Sequence, residues 1–182
     1  MMIPPGRYPV PERGLDFDLP DGLAVSRDPV CYLVSGDNGF GKTTFLEKVV
    51  IAALQKEGLP FLYLGQDIRT QLYTLRALLS VRGAAVSGVD DERLVEMWIA
   101  RSGPAADVFL LDEYDKYLPD FGTLFRRCDA FIRTYFIVSH LDPAHIRPDP
   151  ERFRHRRLHF ELAGRDGAVK HIRIRQEEPW PR

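Results

Sequence analysis

Apolar residues along the chain follow two different spacings. Four short runs are apolar at almost every position, at 30–34, 60–64, 108–111 and 135–138. Between these runs, apolar residues recur three and four positions apart, which is the spacing of an amphipathic helix. This second pattern predicts helices over 43–56, 70–82, 90–102 and 120–133. Continuously apolar strands that alternate with helices predict an α/β fold, with a mostly parallel sheet flanked by helices on both faces.

The two ends of the chain have other patterns. Residues 1–14 are rich in proline and glycine and indicate an irregular lead-in, while 15–19 alternates apolar and acidic residues as an edge strand does. Near the other end, 157–162 and 169–175 predict an antiparallel strand pair, with a turn at 164–167. No repeat interrupts this pattern, so residues 1–182 are expected to form a single domain.

Composition narrows the class of protein. Lys and Arg number 25 and Asp and Glu 26, and this formal net charge of −1 gives no global reason to expect a nucleic-acid or membrane partner. Cys31 and Cys128 lie in apolar segments, which favours reduced, buried thiols over a disulfide. The first residues do not resemble a signal peptide, and no apolar run approaches the ~20 residues of a membrane helix. We expect a cytoplasmic protein without a transmembrane segment, which can still dock on a membrane complex.

A glycine-rich loop carries the strongest chemical signal. Residues 36–43 fit G-x-x-x-x-G-K-[ST], with a predicted strand before them and a helix after them. Glycines let the backbone approach phosphate oxygens, which its N–H groups and the helix N-terminus then face. Lys42 is expected between the β- and γ-phosphates, Thr43 on Mg²⁺ and Thr44 on the α-phosphate. The loop predicts binding of ATP with Mg²⁺, and the candidate ligands are Gly36, Asp37, Asn38, Gly39, Phe40, Gly41, Lys42, Thr43 and Thr44.

Polar residues that follow three other strands complete this candidate site. Asp112 directly follows an apolar strand, where Mg²⁺ needs a carboxylate, and Glu113 beside it is suited to polarise the attacking water. His140 follows the strand at 135–138 and is expected to hydrogen-bond the γ-phosphate. Gln66 follows the strand at 60–64, where its neutral amide can contact both Mg²⁺ and the water. The candidate catalytic residues are therefore Glu113, His140, Gln66 and Lys42, and the candidate metal ligands are Thr43, Gln66 and Asp112.

Together these motifs resemble the nucleotide-binding domain of the ATP-binding cassette (ABC) family. The run 35–44 looks like that family's Walker A loop, and 110–113 looks like its Walker B motif. Gln66 looks like the glutamine of its Q-loop, and His140 like its switch histidine. The order and spacing match from residue 15 to about 175. The resemblance implies a P-loop ATPase of ABC type, with an aromatic residue upstream of the loop that stacks on adenine; Tyr8 and Phe17 are the candidates.

Three departures from the family qualify this resemblance. The signature Leu-Ser-Gly-Gly-Gln is absent, and the nearest trace is 86–90, before a helix that ends in Ile99-Ala100-Arg101. The helical insert, at about 67–105, is reduced. After Walker B, Tyr114 stands where the family prefers proline, and Pro119 where it prefers aspartate. In the family a partner's signature closes over ATP, so we expect either slow hydrolysis by a homodimer or a different subunit that supplies this half of the site.

A compact basic run lies at 152–157 and contains one aromatic residue, Phe153. Such a run is most often a solvated surface, and the alternative is an anionic partner such as nucleic acid, lipid headgroups or an acidic protein. Arg173 and Arg175 add basic residues to the last predicted strand.

Three functions remain in consideration. The first is an ABC-type ATPase whose nucleotide cycle drives or switches a partner assembly, including use as the nucleotide-binding subunit of a transporter. The second is a binding module that ATP switches with little hydrolysis, which the absent signature favours and Glu113 with His140 disfavours. The third is a small-molecule kinase on the same loop, although the acidic pair and the histidine suit water activation better.

Overall fold

The computed structural model describes residues 1–25, 28–65, 67–102, 105–113, 125–126, 128–139 and 151–177. The strands in these residues are β1 (Met2–Ile3), β2 (Gly6–Val10), β3 (Leu15–Leu19), β4 (Leu23–Ala24), β5 (Val30–Gly36), β6 (Phe61–Leu64), β7 (Val108–Leu111), β8 (Thr134–Val138), β9 (Arg154–Asp166) and β10 (Val169–Glu177). The helices are α1 (Lys42–Phe45), a π-helical stretch (Leu46–Ile51) that continues into α2 (Ala52–Lys56), α3 (Ile68–Val81) and α4 (Asp91–Ser102).

Eight of these strands form one sheet, in the order β2-β3-β10-β9-β5-β8-β7-β6. The pairs β9–β5, β5–β8, β8–β7 and β7–β6 are all parallel, as is β10–β3. The pairs β2–β3 and β9–β10 are antiparallel, while β1 and β4 form a separate two-stranded ribbon. The predicted α/β fold with a mostly parallel sheet is therefore confirmed, and so is the antiparallel pair at residues 154–177.

Each central strand divides its side chains between two apolar cores. In β7, Phe109 and Leu111 belong to one core, and Val108 and Leu110 to the other. The first core is covered by α3 and α4, and the second by the continuous helical segment 42–56. Burial on both faces explains why these strands are apolar at every position rather than at alternate ones. Each helix packs one face against a core, which explains why its apolar residues lie on one side.

The helix predicted over 120–133 falls mostly outside the described residues. Phe125, Arg126 and Cys128 are helical, and the backbone N–H of Asp129 donates to the carbonyl of Phe125. Phe125, Cys128 and Ile132 are fully buried in the same core as α3 and α4. Cys31 and Cys128 are both buried free thiols, as predicted. The described part agrees with an amphipathic helix.

Two predictions at the beginning of the chain were wrong. Residues 1–14 are not irregular throughout, because they contain β1, β2 and a 3₁₀ turn at Pro11–Arg13. As a result 15–19 is a strand but not an edge strand, since β2 pairs with it on its outer side. Proline hid β2 in the sequence, and proline is tolerated there because β2 is itself at the edge of the sheet. No helix in the described part of the chain is long and apolar enough to cross a membrane.

Candidate functional site

The parallel strands bring the predicted motifs to one edge of the sheet. The strands β5, β8, β7 and β6 run in the same direction, so their carboxyl ends share an edge. The glycine-rich loop leaves β5 at this edge, and Asp112 and Glu113 leave β7 there. Because β8 lies between β5 and β7, the loop and the acidic pair do not follow adjacent strands.

Two glycines of the loop are required by close contacts as well as by backbone conformation. Gly36 has a φ of 133°, and a Cβ atom there would lie 2.6 Å from the carbonyl oxygen of Phe160 in β9. Gly41 has a φ of 77°, and its Cβ would lie 2.6 Å from Cδ1 of Leu15 in β3. The loop is therefore packed closely against residues of β9 and β3, which restricts the path of its backbone.

Lys42 is the first residue of α1, and its side chain turns back over the loop. Its ammonium group donates hydrogen bonds to the carbonyl oxygens of Gly36, at 2.7 Å, and of Asp37, at 3.1 Å. The residue is only 7% exposed. Burial lowers the pKa of Lys42, while the nearby carboxylates of Asp112, Asp37 and Glu113 raise it. A buried cation is thus held at the mouth of a loop whose fold suits an anion.

Thr43 and Asp112 meet across the edge of the sheet. The Thr43 hydroxyl donates a hydrogen bond of 2.7 Å to Oδ2 of Asp112. Asp112 is 1% exposed, and its other oxygen, Oδ1, is buried without a hydrogen-bond partner among the described residues. Burial raises the pKa of Asp112, and the hydrogen bond from Thr43 lowers it; Glu113 and Glu47 add to the increase. A buried carboxylate oxygen without a partner, beside a hydroxyl group, is a donor set that suits a hard divalent cation.

Glu113 has an unusual backbone conformation. Its φ is 51°, and it is the one non-glycine residue with positive φ in the described ranges. A side chain in this region of φ/ψ space costs about 1–3 kcal/mol and persists where the surroundings impose it. The strain lies directly after Asp112, at the same edge as the loop. Strain of this kind is common at functional sites, and the role predicted for Glu113 remains a prediction.

The predictions for Gln66 and His140 fall outside the described residues. The strands that precede them in sequence, β6 and β8, both end at the edge that carries the loop. Ser139, just before His140, is buried, and the backbone N–H of Gly65, just before Gln66, donates 2.7 Å to Oε1 of Gln71. The roles predicted for Gln66 and His140 remain predictions.

The remaining loop residues differ in their exposure. Asp37, Asn38 and Gly39 are exposed, and Phe40 and Thr44 are half-buried. Phe40 packs against the core that the helical segment 42–56 covers. Their predicted contacts with a nucleotide remain predictions.

Of the two candidates for an adenine-stacking residue, Phe17 was a wrong choice. Its ring is fully buried and packs edge-on against Phe45 and Phe160, at centroid distances of 5.4 and 6.1 Å. It belongs to the core beneath the loop and has no free face. Tyr8 is half-buried, and its hydroxyl donates to the carbonyl oxygen of Pro4 at 2.5 Å. Tyr8 therefore remains the candidate.

The basic run at 152–157 is partly used by the fold itself. The Arg152 guanidinium lies 5.4 Å from the ring centre of Phe153. Arg156 donates to Oε1 of Gln176 at 2.7 Å, and Arg157 donates to the Ser35 hydroxyl at 2.7 Å. These contacts favour the structural interpretation of the run over a dedicated anion-binding surface.

One residue at the edge was missed by the sequence predictions. Lys170, from β10, donates a hydrogen bond of 3.1 Å to the carbonyl oxygen of Gly39. No local pattern marks this lysine, because its position depends on the pairing of β10 with β3 and β9. Knowledge of the strand order would have been needed to find it.

No protein-family model matches this sequence, and no curated protein sequence matches it. Among solved structures, the chain is similar to a KaiC-like protein from the hyperthermophilic archaeon Pyrococcus horikoshii. The TM-score is 0.43 and the sequence identity 14%, over 82% of this chain and 80% of that one. A likeness this distant assigns neither family nor activity. The ABC resemblance and the function therefore depend on the residues of this chain alone.

Proposed function

We propose that this chain is a P-loop ATPase of ABC type, which binds Mg-ATP at 36–43 and hydrolyses it to drive or switch a partner assembly. The observation that carries the proposal is the hydrogen bond between Thr43 and Asp112, whose second oxygen has no hydrogen-bond partner among the described residues. The two residues are 69 positions apart in the chain. A nucleotide site that uses Mg²⁺ needs this hydroxyl and this carboxylate side by side.

The residues present fit Mg²⁺ and a nucleotide. Thr43 and Asp112 would hold the cation, and Lys42 with the loop backbone would hold the phosphates. Mg²⁺ there would neutralise phosphate charge and orient the terminal phosphate. Because Lys42 is already held by the carbonyls of Gly36 and Asp37, its ammonium is positioned over the loop without a search through rotamers. Gln66 stays a candidate third ligand.

Glu113 is the group we assign to water activation. Its carboxylate would accept a proton from water as the water oxygen bonds to the γ-phosphorus. The bond from that phosphorus to the β,γ-bridging oxygen breaks, and ADP leaves with the electron pair. His140 would stabilise the charge that develops on the γ-phosphate. The strained backbone at Glu113 supports this assignment, since such strain is common at catalytic positions.

The proposal of an ABC-type ATPase, rather than another P-loop ATPase, is supported by four motifs taken together. Walker A, Walker B, Gln66 and His140 occur in the family's order, and the strands before them end at one edge. Without a signature sequence, the half of the site that closes over ATP would come from a second copy or from another subunit. We therefore propose that the chain works within a protein complex.

Substitution of Glu113 by Gln tests the proposal. General bases contribute about 10²–10⁴ in rate, so Glu113→Gln should lower ATP turnover by at least about 100-fold. Affinity for Mg-ATP should stay within about threefold, because the loop, Thr43 and Asp112 are unchanged. Glu57→Gln, at an exposed position beyond α2, is the matched control and should retain full turnover. Equal turnover by Glu113→Gln and wild type would refute the assigned role.

A second candidate function is an ATP-dependent switch with little hydrolysis, which the absent signature favours. The two functions predict different results for ATP-bound dimers and for turnover. An ATPase forms stable ATP-bound dimers when Glu113 is Gln but not as the wild type. A switch forms them in both proteins, and its turnover does not rise when the native partner is added.

A further inference from the structure

The outward face of α3 has no charged residue. The helix rests on the core that it covers together with α4, through Leu72, Leu75 and Leu79. The positions on the opposite side of the helix are all exposed, and they are Thr70, Tyr73, Thr74, Ala77 and Val81. Tyr73 is 77% exposed and Val81 is 87% exposed. A helix face in contact with water normally carries charged residues, whereas the centre of a protein interface is depleted of them and enriched in aromatic residues. The composition of this outward face is therefore that of an interface.

An apolar cavity adjoins the outward face of α3. It has a volume of about 210 Å³ and lies between α3, β6 and α4. Thr70 and Thr74 belong both to the outward face and to the wall of the cavity, whose other lining residues include Tyr63, Leu64, Leu75 and Trp98. The surface that a partner can cover is thus wider than the helix itself.

Two opposite charges flank the outward face, one at each end of α3. Asp67 is the exposed N-cap residue, and its Oδ1 accepts a hydrogen bond of 3.3 Å from the backbone N–H of Thr70. Arg82 is the exposed residue at the other end of the helix. Neither has an ion-pair partner in the part of the chain that the structure describes. They are separated by about four helical turns, or about 22 Å, so both project from the same side of the helix. Arg69, about 200° further round the helix than Asp67, projects from the other side.

The residues of α3 are arranged symmetrically about the middle of its outward face. Asp67 and Arg82 lie at similar distances on either side of residue 75, and so do Tyr73 and Ala77. When two copies of such a helix pack antiparallel about a two-fold axis, each residue meets the one at the same distance on the other side of the middle. An acidic end then meets a basic end, and a large side chain meets a small one. The outward face is thus complementary to a second copy of itself.

We propose that a second copy of this chain covers the outward face of α3, so that the protein is a dimer in which the two α3 helices pack antiparallel. Asp67 of each copy pairs with Arg82 of the other, and Tyr73 of each copy packs on Ala77 of the other. The two helix dipoles are also opposed in this arrangement, which favours it. The contact requires no nucleotide and lies on α3 rather than on the loop, so it is separate from the closure over ATP in the proposed function.

The experiment is sedimentation of the full chain in the analytical ultracentrifuge, without nucleotide, at about 100 μM. The wild type should sediment as a dimer. Ala77→Arg should be a monomer, with a dissociation constant raised by at least about 100-fold, because it brings two guanidinium groups together near the two-fold axis with no acidic partner. Arginine is a good helix former and the position is exposed, so the fold should be retained. The matched control is Ala52→Arg, at an exposed position of α2 on the other side of the sheet, which should dimerise as the wild type does.

Two further variants test the details of the contact. Tyr73→Ala removes the large side chain from an exposed position and should weaken the dimer by about tenfold or more. Arg82→Glu places two acidic residues opposite each other at both ends of the interface and should weaken it by about tenfold. Unchanged dimerisation in Arg82→Glu would contradict the antiparallel arrangement.

The remaining outcomes separate this inference from the proposed function. A monomeric wild type would overturn the inference and would mean that a different partner covers the face. A dimer that survives both Ala77→Arg and Tyr73→Ala, or that Ala52→Arg also disrupts, would overturn it as well. None of these results depends on ATP. If the wild type dimerises as described but binds no Mg-ATP, the proposed function alone is wrong.

Discussion

The Thr43 hydroxyl donates a 2.7 Å hydrogen bond to Oδ2 of Asp112, joining the first turn of α1 to the end of β7. Thr43 lies in the helix that follows β5, whereas Asp112 follows β7, and β8 lies between these two strands in the sheet. Their contact therefore depends on the whole parallel arrangement. The other buried oxygen of Asp112 has no hydrogen-bond partner in the part of the chain that the structure describes, and the account of Mg²⁺ binding depends on that oxygen.

Removal of the Thr43 hydroxyl should weaken binding of Mg-ATP. Thr43→Val keeps the size of the side chain but removes the donor to Asp112 and the predicted ligand of Mg²⁺. We expect a loss of about tenfold or more in affinity when Mg²⁺ is present. In EDTA the variant and the wild type should differ by less than about twofold. Thr43→Ser retains the hydroxyl and is the control; if it binds as weakly as Thr43→Val, the hydroxyl is not the cause.

Asp112→Asn should stabilise the nucleotide-free protein while it abolishes Mg-ATP binding. Burial raises the pKa of Asp112, so the ionised form is unfavourable in the folded state. The asparagine amide oxygen can still accept the hydrogen bond from Thr43. We expect the free energy of unfolding at pH 7 to rise by about 1 kcal/mol, measured by urea denaturation. Many active-site residues show this conflict between stability and function.

The difference in free energy of unfolding between Asp112→Asn and the wild type should depend on pH. Asp112 titrates at higher pH in the folded protein than in the unfolded chain, where its pKa has the ordinary value of 3.8. Below that value Asp112 is protonated in both states, so the free-energy cost of burying its ionised carboxylate vanishes. As pH rises through the elevated pKa, the penalty reaches its full size. The advantage of Asp112→Asn should therefore be present at pH 7 and shrink toward pH 4; an advantage that grows on acidification would contradict the assignment.

Gly41→Ala should destabilise the fold much more than Gly58→Ala does. Both glycines have positive φ, at 77° and 67°, so both substitutions introduce a similar backbone strain of about 1 kcal/mol. Only Gly41 is also crowded, because its Cβ would lie 2.6 Å from Leu15, whereas the space around Gly58 is open. We expect a loss of about 3 kcal/mol for Gly41→Ala and about 1 kcal/mol for Gly58→Ala in thermal or urea unfolding. Equal losses would mean that the loop is not packed as described.

The local elements were predictable because each has its own periodicity. The apolar run at 108–111 and the spacing within 43–56 predicted β7 and the helical segment after the loop, and both were confirmed. The partners of each strand were not predictable, since hydrophobicity does not encode which strands pair. Proline concealed β2, and with it the fact that 15–19 is an inner strand.

The candidate site also has features that were predictable from the sequence and features that were not. The loop, Asp112 and Glu113 were predicted because each directly follows an apolar strand, and parallel strands bring their carboxyl ends together. The strain at Glu113 was not predictable, because φ is set by the surroundings of the residue. Lys170 and its contact with Gly39 were missed because they depend on the register of β10.

The most direct test of the central claim is a comparison of Mg-ATP binding and hydrolysis by the wild type and by Lys42→Ala. The buried ammonium of Lys42 lies over the loop, on the carbonyls of Gly36 and Asp37. We predict that the wild type binds Mg-ATP and turns it over, and that Lys42→Ala reduces turnover by at least about 100-fold. Failure of the wild type to bind Mg-ATP, or turnover that is unchanged in Lys42→Ala, would contradict the assignment of 36–43 as a nucleotide site.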